Sequence, residues 1–156
     1  MRVRIIAVGD RMPAWVSEVC ADYVRRLGTK LKVSLVEIPA GPRGRGGSGL
    51  RAVEIEGERI LAELKPSDYL IALDERGKEI STVELARRLA ERMQSGPDTV
   101  FTIGGPDGLA EAVRVRSDFT WSLSRLTLPH ALVRVLLAEQ LYRAHTVLSG
   151  HPYHRA

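Results

Sequence analysis

The side chains best equipped for chemistry crowd the end of the chain. Gly150-His151-Pro152-Tyr153-His154-Arg155-Ala156 sets two imidazoles, a phenol and a guanidinium almost side by side. An imidazole titrates near neutral pH and can take up or release a proton, so His154 is a candidate for proton transfer. Tyr153 and Arg155 beside it suit stacking on a nucleobase or gripping a phosphate. His151 and His154 have the i, i+3 spacing of a metal pair, but no cysteine or carboxylate stands near them in the sequence, so no metal is expected. The plain competing reading is a frayed terminus, the usual fate of last residues; the density of functional groups argues against it.

A second group lies upstream. Three apolar runs end in residues that can meet a ligand: Leu73 before Asp74-Glu75-Arg76-Gly77, Ile103 before Gly104-Gly105-Pro106-Asp107-Gly108, and the stretch Leu123-Ser124-Arg125-Leu126-Thr127-Leu128. Glycines let backbone amides approach a ligand closely, and Ser124 and Thr127 add hydroxyls. Turns use the same residues, so the glycine run taken alone fits a simple turn equally well. No G-x-S-x-G, Walker-type G-x-x-x-x-G-K-[ST] or H-E-x-x-H occurs, and no G-x-G-x-x-G follows the first apolar run. Serine hydrolase, P-loop nucleotidase, zincin and ordinary dinucleotide-binding readings therefore lack their working parts.

The elements that must hold these groups follow from periodicity. Strands are expected at Arg2 to Val8, Lys32 to Ile38, Asp68 to Leu73, Thr99 to Ile103 and Phe119 to Leu123, nearly all as apolar runs. Between them the pattern predicts helices from Pro13 to Gly28, from Leu50 to Leu64, after a capping box at Ser81 and Glu84, and from Leu109 to Arg114. A long helix runs from Pro129 to about Leu148. This alternation predicts an α/β domain over residues 1–156, with a mostly parallel sheet of five to six strands covered by helices on both faces. Ligands of such sheets sit outside the carboxyl ends of the strands, where the three turns fall. Pro39 to Gly49 is too rich in glycine for a regular element and reads as a basic loop carrying Arg43 and Arg45. Trp15, Trp121 and Cys20 are expected in the core, and Arg87, Arg88 and Arg92 on a solvated helix face.

The last helix places Val133, Leu136, Leu137, Leu141, Ala144 and Leu148 on one side and Val135, Ala138 and Tyr142 on the other. A helix apolar on two sides is buried on two sides, and the second partner is expected to be another copy of the chain or an overlying loop. Lys and Arg number 23 against 19 acidic residues, a formal charge of +4 that favours a polyanionic partner. One cysteine rules out an internal disulfide and suits a reducing compartment. No apolar run approaches the roughly 20 residues that span a bilayer, so a soluble cytoplasmic protein without a membrane partner is expected.

The residues also carry a resemblance. Leu73-Asp-Glu-Arg-Gly-Lys78, Ile103-Gly-Gly-Pro-Asp-Gly-Leu109, Leu123-Ser-Arg-Leu-Thr-Leu-Pro-His130, Glu139-Gln-Leu-Tyr-Arg-Ala144 and the closing His-Pro-Tyr-His-Arg155 together resemble the bacterial large-subunit ribosomal RNA methyltransferase H family of the SPOUT superfamily. The resemblance implies a SPOUT-type fold with a trefoil knot in its C-terminal half, an exception to the rule that chains avoid knots. It implies an enzyme that transfers a methyl group from S-adenosyl-L-methionine, without a metal, to N3 of a pseudouridine in 23S ribosomal RNA within the ribosome. It also implies a homodimer whose RNA site combines one subunit's cofactor pocket with the partner's C-terminal tail. By the same resemblance Leu73, Gly104 and the six residues Leu123, Ser124, Arg125, Leu126, Thr127 and Leu128 line the cofactor pocket, with Gly105 beside them.

The nucleophile sets the further requirement. A uracil-type N3 carries a proton at neutral pH and must lose it as it attacks, so a proton acceptor or stabilising cations belong near the pocket. His154 as base, with Arg143 and Tyr153 beside it, and Arg155, Arg43 and Arg45 as RNA contacts, are the expected assignments. The loop 39–49 departs from the family, which is richer in lysine and poorer in glycine there. The alternative is a ribosome-associated assembly factor of the same fold that binds RNA without chemistry; a small-molecule enzyme with incidental basic charge is the third possibility.

Overall fold

A computed structural model describes residues 1–29, 31–43 and 49–155. Five strands, β1 (Arg2–Val8), β2 (Lys32–Ile38), β3 (Tyr69–Glu79), β4 (Thr99–Ile103) and β5 (Phe119–Ser122), form one sheet in the order β2-β1-β4-β3-β5. Every pairing in it is parallel. Alternation along the strands builds two cores. Val3, Ile5 and Ala7 of β1, Ile71 and Leu73 of β3, and Phe101 and Ile103 of β4 face one way, where α1 (Ala14–Leu27), α3 (Thr82–Ser95) and α5 (His130–Ser149) cover them. Ile6, Val8, Leu70, Ala72 and Val100 face the other, under α2 (Leu50–Ala62) and α4 (Glu111–Arg116). Near-continuous apolar strands are what a sheet buried on both faces requires.

The register brings the strand ends level. Ile103 pairs with both Ala7 and Leu73, and Leu73 pairs with Trp121. Leu73, Ile103 and Ser122 therefore stand close to level, so the stretches that follow them start at the same end of the sheet. At α3 the expected capping box forms in its first half, with Ser81 Oγ accepting the Glu84 N–H at 3.1 Å. Pro13 and Gly28 bracket α1 at its two ends.

Several expectations need correction. Asp74 to Gly77 is not a free turn between elements, because β3 continues through it to Glu79 and both Leu73 and Lys78 face Trp121 across a bulge. Gly77 makes this possible: a Cβ there would stand 2.7 Å from the Thr120 carbonyl oxygen. Helix α4 starts at Glu111 rather than Leu109, whose side chain is buried in the second core.

Trp15 is 48% exposed and does not belong to the core, whereas Trp121 is buried at 3%. Cys20 is half-buried, and burial pushes its thiol up against the opposing charge of Arg134. On α5, Leu136 and Leu148 are exposed while Ala138 is buried, so the two-sided pattern splits differently from the sequence division. Helices α1 and α3 of the same chain pack on α5 and take up part of that apolar surface. Arg88 and Arg92 are not simply solvated, since their guanidinium carbons lie 4.0 Å from the Phe119 ring centre and 4.1 Å from that of Tyr69. Among the described residues no helix is long and apolar enough to cross a membrane.

Candidate functional site

The level strand ends open into a cleft of about 860 Å³. Leu73, Gly104, Gly105, Leu123, Ser124, Leu126, Thr127 and Leu128 all line it, and Arg125 does not. The glycine turn folds tightly: the Gly108 N–H donates to the Gly105 carbonyl at 3.0 Å. A Cβ on Gly104 would meet the Gly108 carbonyl carbon at 2.7 Å, so only glycine lets the two backbone segments approach. The hydroxyls of the third segment hold that segment in shape. Ser124 Oγ accepts the Leu126 N–H at 3.0 Å, and Thr127 Oγ1 donates to Glu75 Oε2 at 3.1 Å, tying the 123–128 stretch to the β3 bulge.

Charge at the rim is paired. The Asp74 carboxylate accepts the Arg76 backbone N–H at 2.9 Å, and Arg114 Nη1 stands 3.6 Å away. Burial would raise this carboxyl, but the Arg76 hydrogen bonds and the charges of Arg76 and Arg114 outweigh it and hold it below the usual range. His130, at the first turn of α5, is held below the ordinary histidine range by burial and by the nearby Arg134 charge, so a neutral imidazole faces the cleft at pH 7. Arg134 is itself buried and donates to Glu37 at 2.7 Å and to the Val8 carbonyl at 3.2 Å, fastening α5 to the end of β1.

Arg43 is committed to two carboxylates. It donates to Glu56 Oε2 at 2.9 Å and to Asp107 Oδ2 at 2.8 Å, and Glu56 is 2% exposed. Glu56 also accepts the Gly41 N–H at 2.8 Å, so the start of the 39–49 loop is clamped against the glycine turn. Arg45 lies outside the described residues.

The tail gathers elsewhere. Pro152–His154 forms a short 3-10 turn against α5. The Arg143 Nε donates to Glu139 Oε1 at 2.7 Å, its guanidinium sits 4.9 Å from the Tyr153 ring centre, and the Tyr153 hydroxyl reaches the Tyr23 hydroxyl at 3.2 Å. His154 Nδ1 meets the His151 carbonyl oxygen. A carbonyl only accepts, so Nδ1 is the donor in this contact and Nε2 is the ring nitrogen it leaves uncommitted. None of Arg143, Tyr153, His154 and Arg155 lines the cleft. The helix explains it: at 1.5 Å per residue, His130 and Arg143 stand roughly 20 Å apart along α5.

Asp74, Arg114, His130, Arg134 and Glu139 carry no site assignment in the sequence reading, and Trp121 is expected there only as a core residue. The i, i+4 spacing of Glu139 and Arg143 was a readable signal. Burial of Arg134 and the inclusion of Trp121 in the cleft wall had none, because both depend on strand order.

An all-parallel sheet whose level strand ends carry a glycine-walled cleft is the ligand-binding architecture of open α/β proteins. This chain belongs to the SPOUT methyltransferase family: the family described as "Predicted SPOUT methyltransferase" matches residues 1–154. The chain is 52% identical over 155 residues to the ribosomal RNA large subunit methyltransferase H of Thioalkalivibrio sulfidiphilus, covering 99% of each. It is 51% identical to the protein of the same name from Alkalilimnicola ehrlichii, covering all of both chains. Among solved structures, a probable methyltransferase from Bordetella pertussis superposes with a TM-score of 0.56 at 17% identity, over 92% of this chain and 95% of that one. A probable methylase family protein from Haemophilus influenzae gives 0.54 at 12%, over 97% and 69%. These two likenesses concern the fold. Membership in the family implies the C-terminal trefoil knot.

Proposed function

We propose that residues 1–156 form one S-adenosyl-L-methionine-dependent methyltransferase domain that acts, as a cytoplasmic homodimer, on N3 of a pseudouridine in 23S ribosomal RNA. The observation that carries the reading is the convergence of the segments after Leu73, Ile103 and Ser122 on one cleft. Its volume lies within the roughly 300–1,000 Å³ of small-molecule sites. The donor set fits a nucleoside-bearing ligand, because Gly104, Gly105 and Gly108 can present only backbone groups to it. The bound S-adenosylmethionine supplies an electrophilic methyl group; the chain's residues align the two reactants and exclude water.

The proton on N3 has to leave, and the tail holds the groups for that. With Nδ1 committed to the His151 carbonyl, His154 offers Nε2 as the acceptor. Arg143, fixed by Glu139, and Arg155 are cations that would stabilise an anionic base or grip phosphate. Because α5 separates this cluster from the cleft of its own subunit, the tail serves the cleft of the partner. The same groups could take no part in chemistry if each subunit worked alone.

Mass spectrometry of 23S ribosomal RNA from cells lacking the gene tests the function: one methyl group on a pseudouridine should be missing, and an unchanged methylation map would refute the reading. His154→Gln should lower kcat by two orders of magnitude or more and remove the acidic limb of the pH–rate profile. An unaltered profile would exclude His154 as the base.

A further inference from the structure

The cleft reaches past the segments proposed to hold the methyl donor. Those segments follow β3, β4 and β5, and β1 lies beyond them in the sheet order. Neighbouring strands stand roughly 4.8 Å apart, so the ends of β5 and β1 are separated by about 14 Å. His130 occupies the β1 end: it lines the cleft, and the Cβ that Gly9 lacks would lie 3.9 Å from its Nε2.

The other polar side chains along the cleft are already engaged. Glu75 bonds Thr127, Ser124 accepts the Leu126 N–H, and the rim carboxylates Asp74 and Asp107 face arginines. Trp121 Nε1 is buried in the wall. His130 is the exception. Among the described residues neither of its ring nitrogens has a hydrogen-bond partner, and neither is among the polar atoms buried without one, so both are open to solvent. Its ring is neutral at pH 7, and a neutral imidazole offers one N–H donor and one acceptor. The adjacent Arg134 is bonded away to Glu37 and to the end of β1, so it does not compete for a ligand.

The target base calls for such a group. As N3 of a uracil-type ring gives up its proton, negative charge spreads onto the two carbonyl oxygens that flank it, and a fixed N–H directed at one of them lowers the barrier. We propose that His130 is a substrate-binding residue: its ring N–H donates to a carbonyl oxygen beside N3 of the target base, at the β1 end of the cleft. This rests on the reading of the cleft as a methyltransferase site. It gives the subunit that holds the methyl donor a contact of its own with the base, alongside the partner's tail.

Full-length variants assayed on ribosomes from cells lacking the gene test the proposal. His130→Phe keeps the bulk of the ring and loses both polar atoms. Its kcat for methyl transfer should fall roughly tenfold or more, the scale of one hydrogen bond, while S-adenosylhomocysteine binds within about twofold of wild type by calorimetry. His130→Gln and His130→Asn carry an amide N–H near the positions of Nε2 and Nδ1, and the better of the two should be clearly faster than His130→Phe. A His130→Phe variant as fast as wild type, or amide variants no faster than it, would overturn the assignment. So would S-adenosylhomocysteine binding that weakens in step with kcat, which would make His130 a contact of the methyl donor instead. If His130→Phe fails to fold, His130→Ala, which only widens the cleft, is read in the same way. Wild-type protein that leaves these ribosomes unmethylated would overturn the function proposed for the cleft and this assignment with it; wild-type activity matched by His130→Phe overturns the assignment only.

Discussion

Glu56 shows how a single buried charge shapes the site. It is fully shielded from solvent, yet it has three donors: the Gly41 N–H at 2.8 Å and two guanidinium nitrogens of Arg43 at 2.9 and 3.4 Å. A carboxylate so paired stabilises only while its partners remain, because a lone guanidinium left part-buried is costly. Glu56→Ala should therefore lose about 2–4 kcal/mol in urea unfolding and loosen the glycine turn through Asp107, and a loss under 1 kcal/mol would show that the clamp is decorative. Tyr153 sets the opposite kind of test. Burial first, then the hydrogen bond with Tyr23 and the charge of Glu139, push its phenol up to about 12. The unfolded phenol titrates near 10. The folded state thus favours the protonated form, so this contribution to stability is complete below about pH 10 and is lost as pH rises toward 12. In the neutral range Tyr153 is a donor and not a base. Tyr153→Phe should leave the shape of the pH–rate profile between pH 6 and 9 unchanged, whatever it does to the rate; a shifted limb would contradict the raised phenol.

At the scale of elements, the β3 bulge does the work that a simple turn could not. It lets Asp74 and Glu75 swing to the cleft rim and still returns the strand to pair with β5 at Lys78 and Glu79. Thr127 reads the result by bonding Glu75, so the bulge positions the 123–128 segment. Gly77→Ala would force a Cβ against the Thr120 backbone, a contact that only movement of β5 can relieve. Overpacking of this kind costs roughly 1–3 kcal/mol. Calorimetric unfolding should register that cost, together with weaker S-adenosylmethionine binding, and a variant as stable as wild type would show that the seam is softer than its geometry. Helix α5 contributes length: it carries His130 into the cleft at one end and Arg143 into the tail cluster at the other.

That separation becomes a statement about the whole molecule. On α5, Leu132 and Leu136 lie one turn apart and both stay exposed, an apolar pair that suits contact with a second copy. If each active site joins one subunit's cleft to the other's tail, defects in the two parts should complement. A chain ending at Gly150 keeps its cleft; a Gly104→Val chain keeps its tail. Each should be inactive alone. After dissociation and reassociation of an equal mixture, half of the dimers are mixed and each has one intact site of two, so activity should return to about a quarter of wild type in a methyl-transfer assay. No recovery, from subunits shown to exchange, would place the tail's role within its own subunit.

Much of this was written in the chain. The apolar alternation of β1, β3 and β4 dictated a sheet covered on both faces, Ser81 and Glu84 marked the start of α3, and the glycine turn and the 123–128 stretch were recognisable by residue type. These are local signals, set by backbone sterics and by which side of a strand a residue faces. The tertiary structure alone decided that Trp121 faces both Leu73 and Lys78, that Arg134 is buried against the end of β1, and that the tail cluster lies a helix-length from the cleft. Strand order brings together residues distant in sequence, and no local pattern encodes that order. It follows from packing the whole chain.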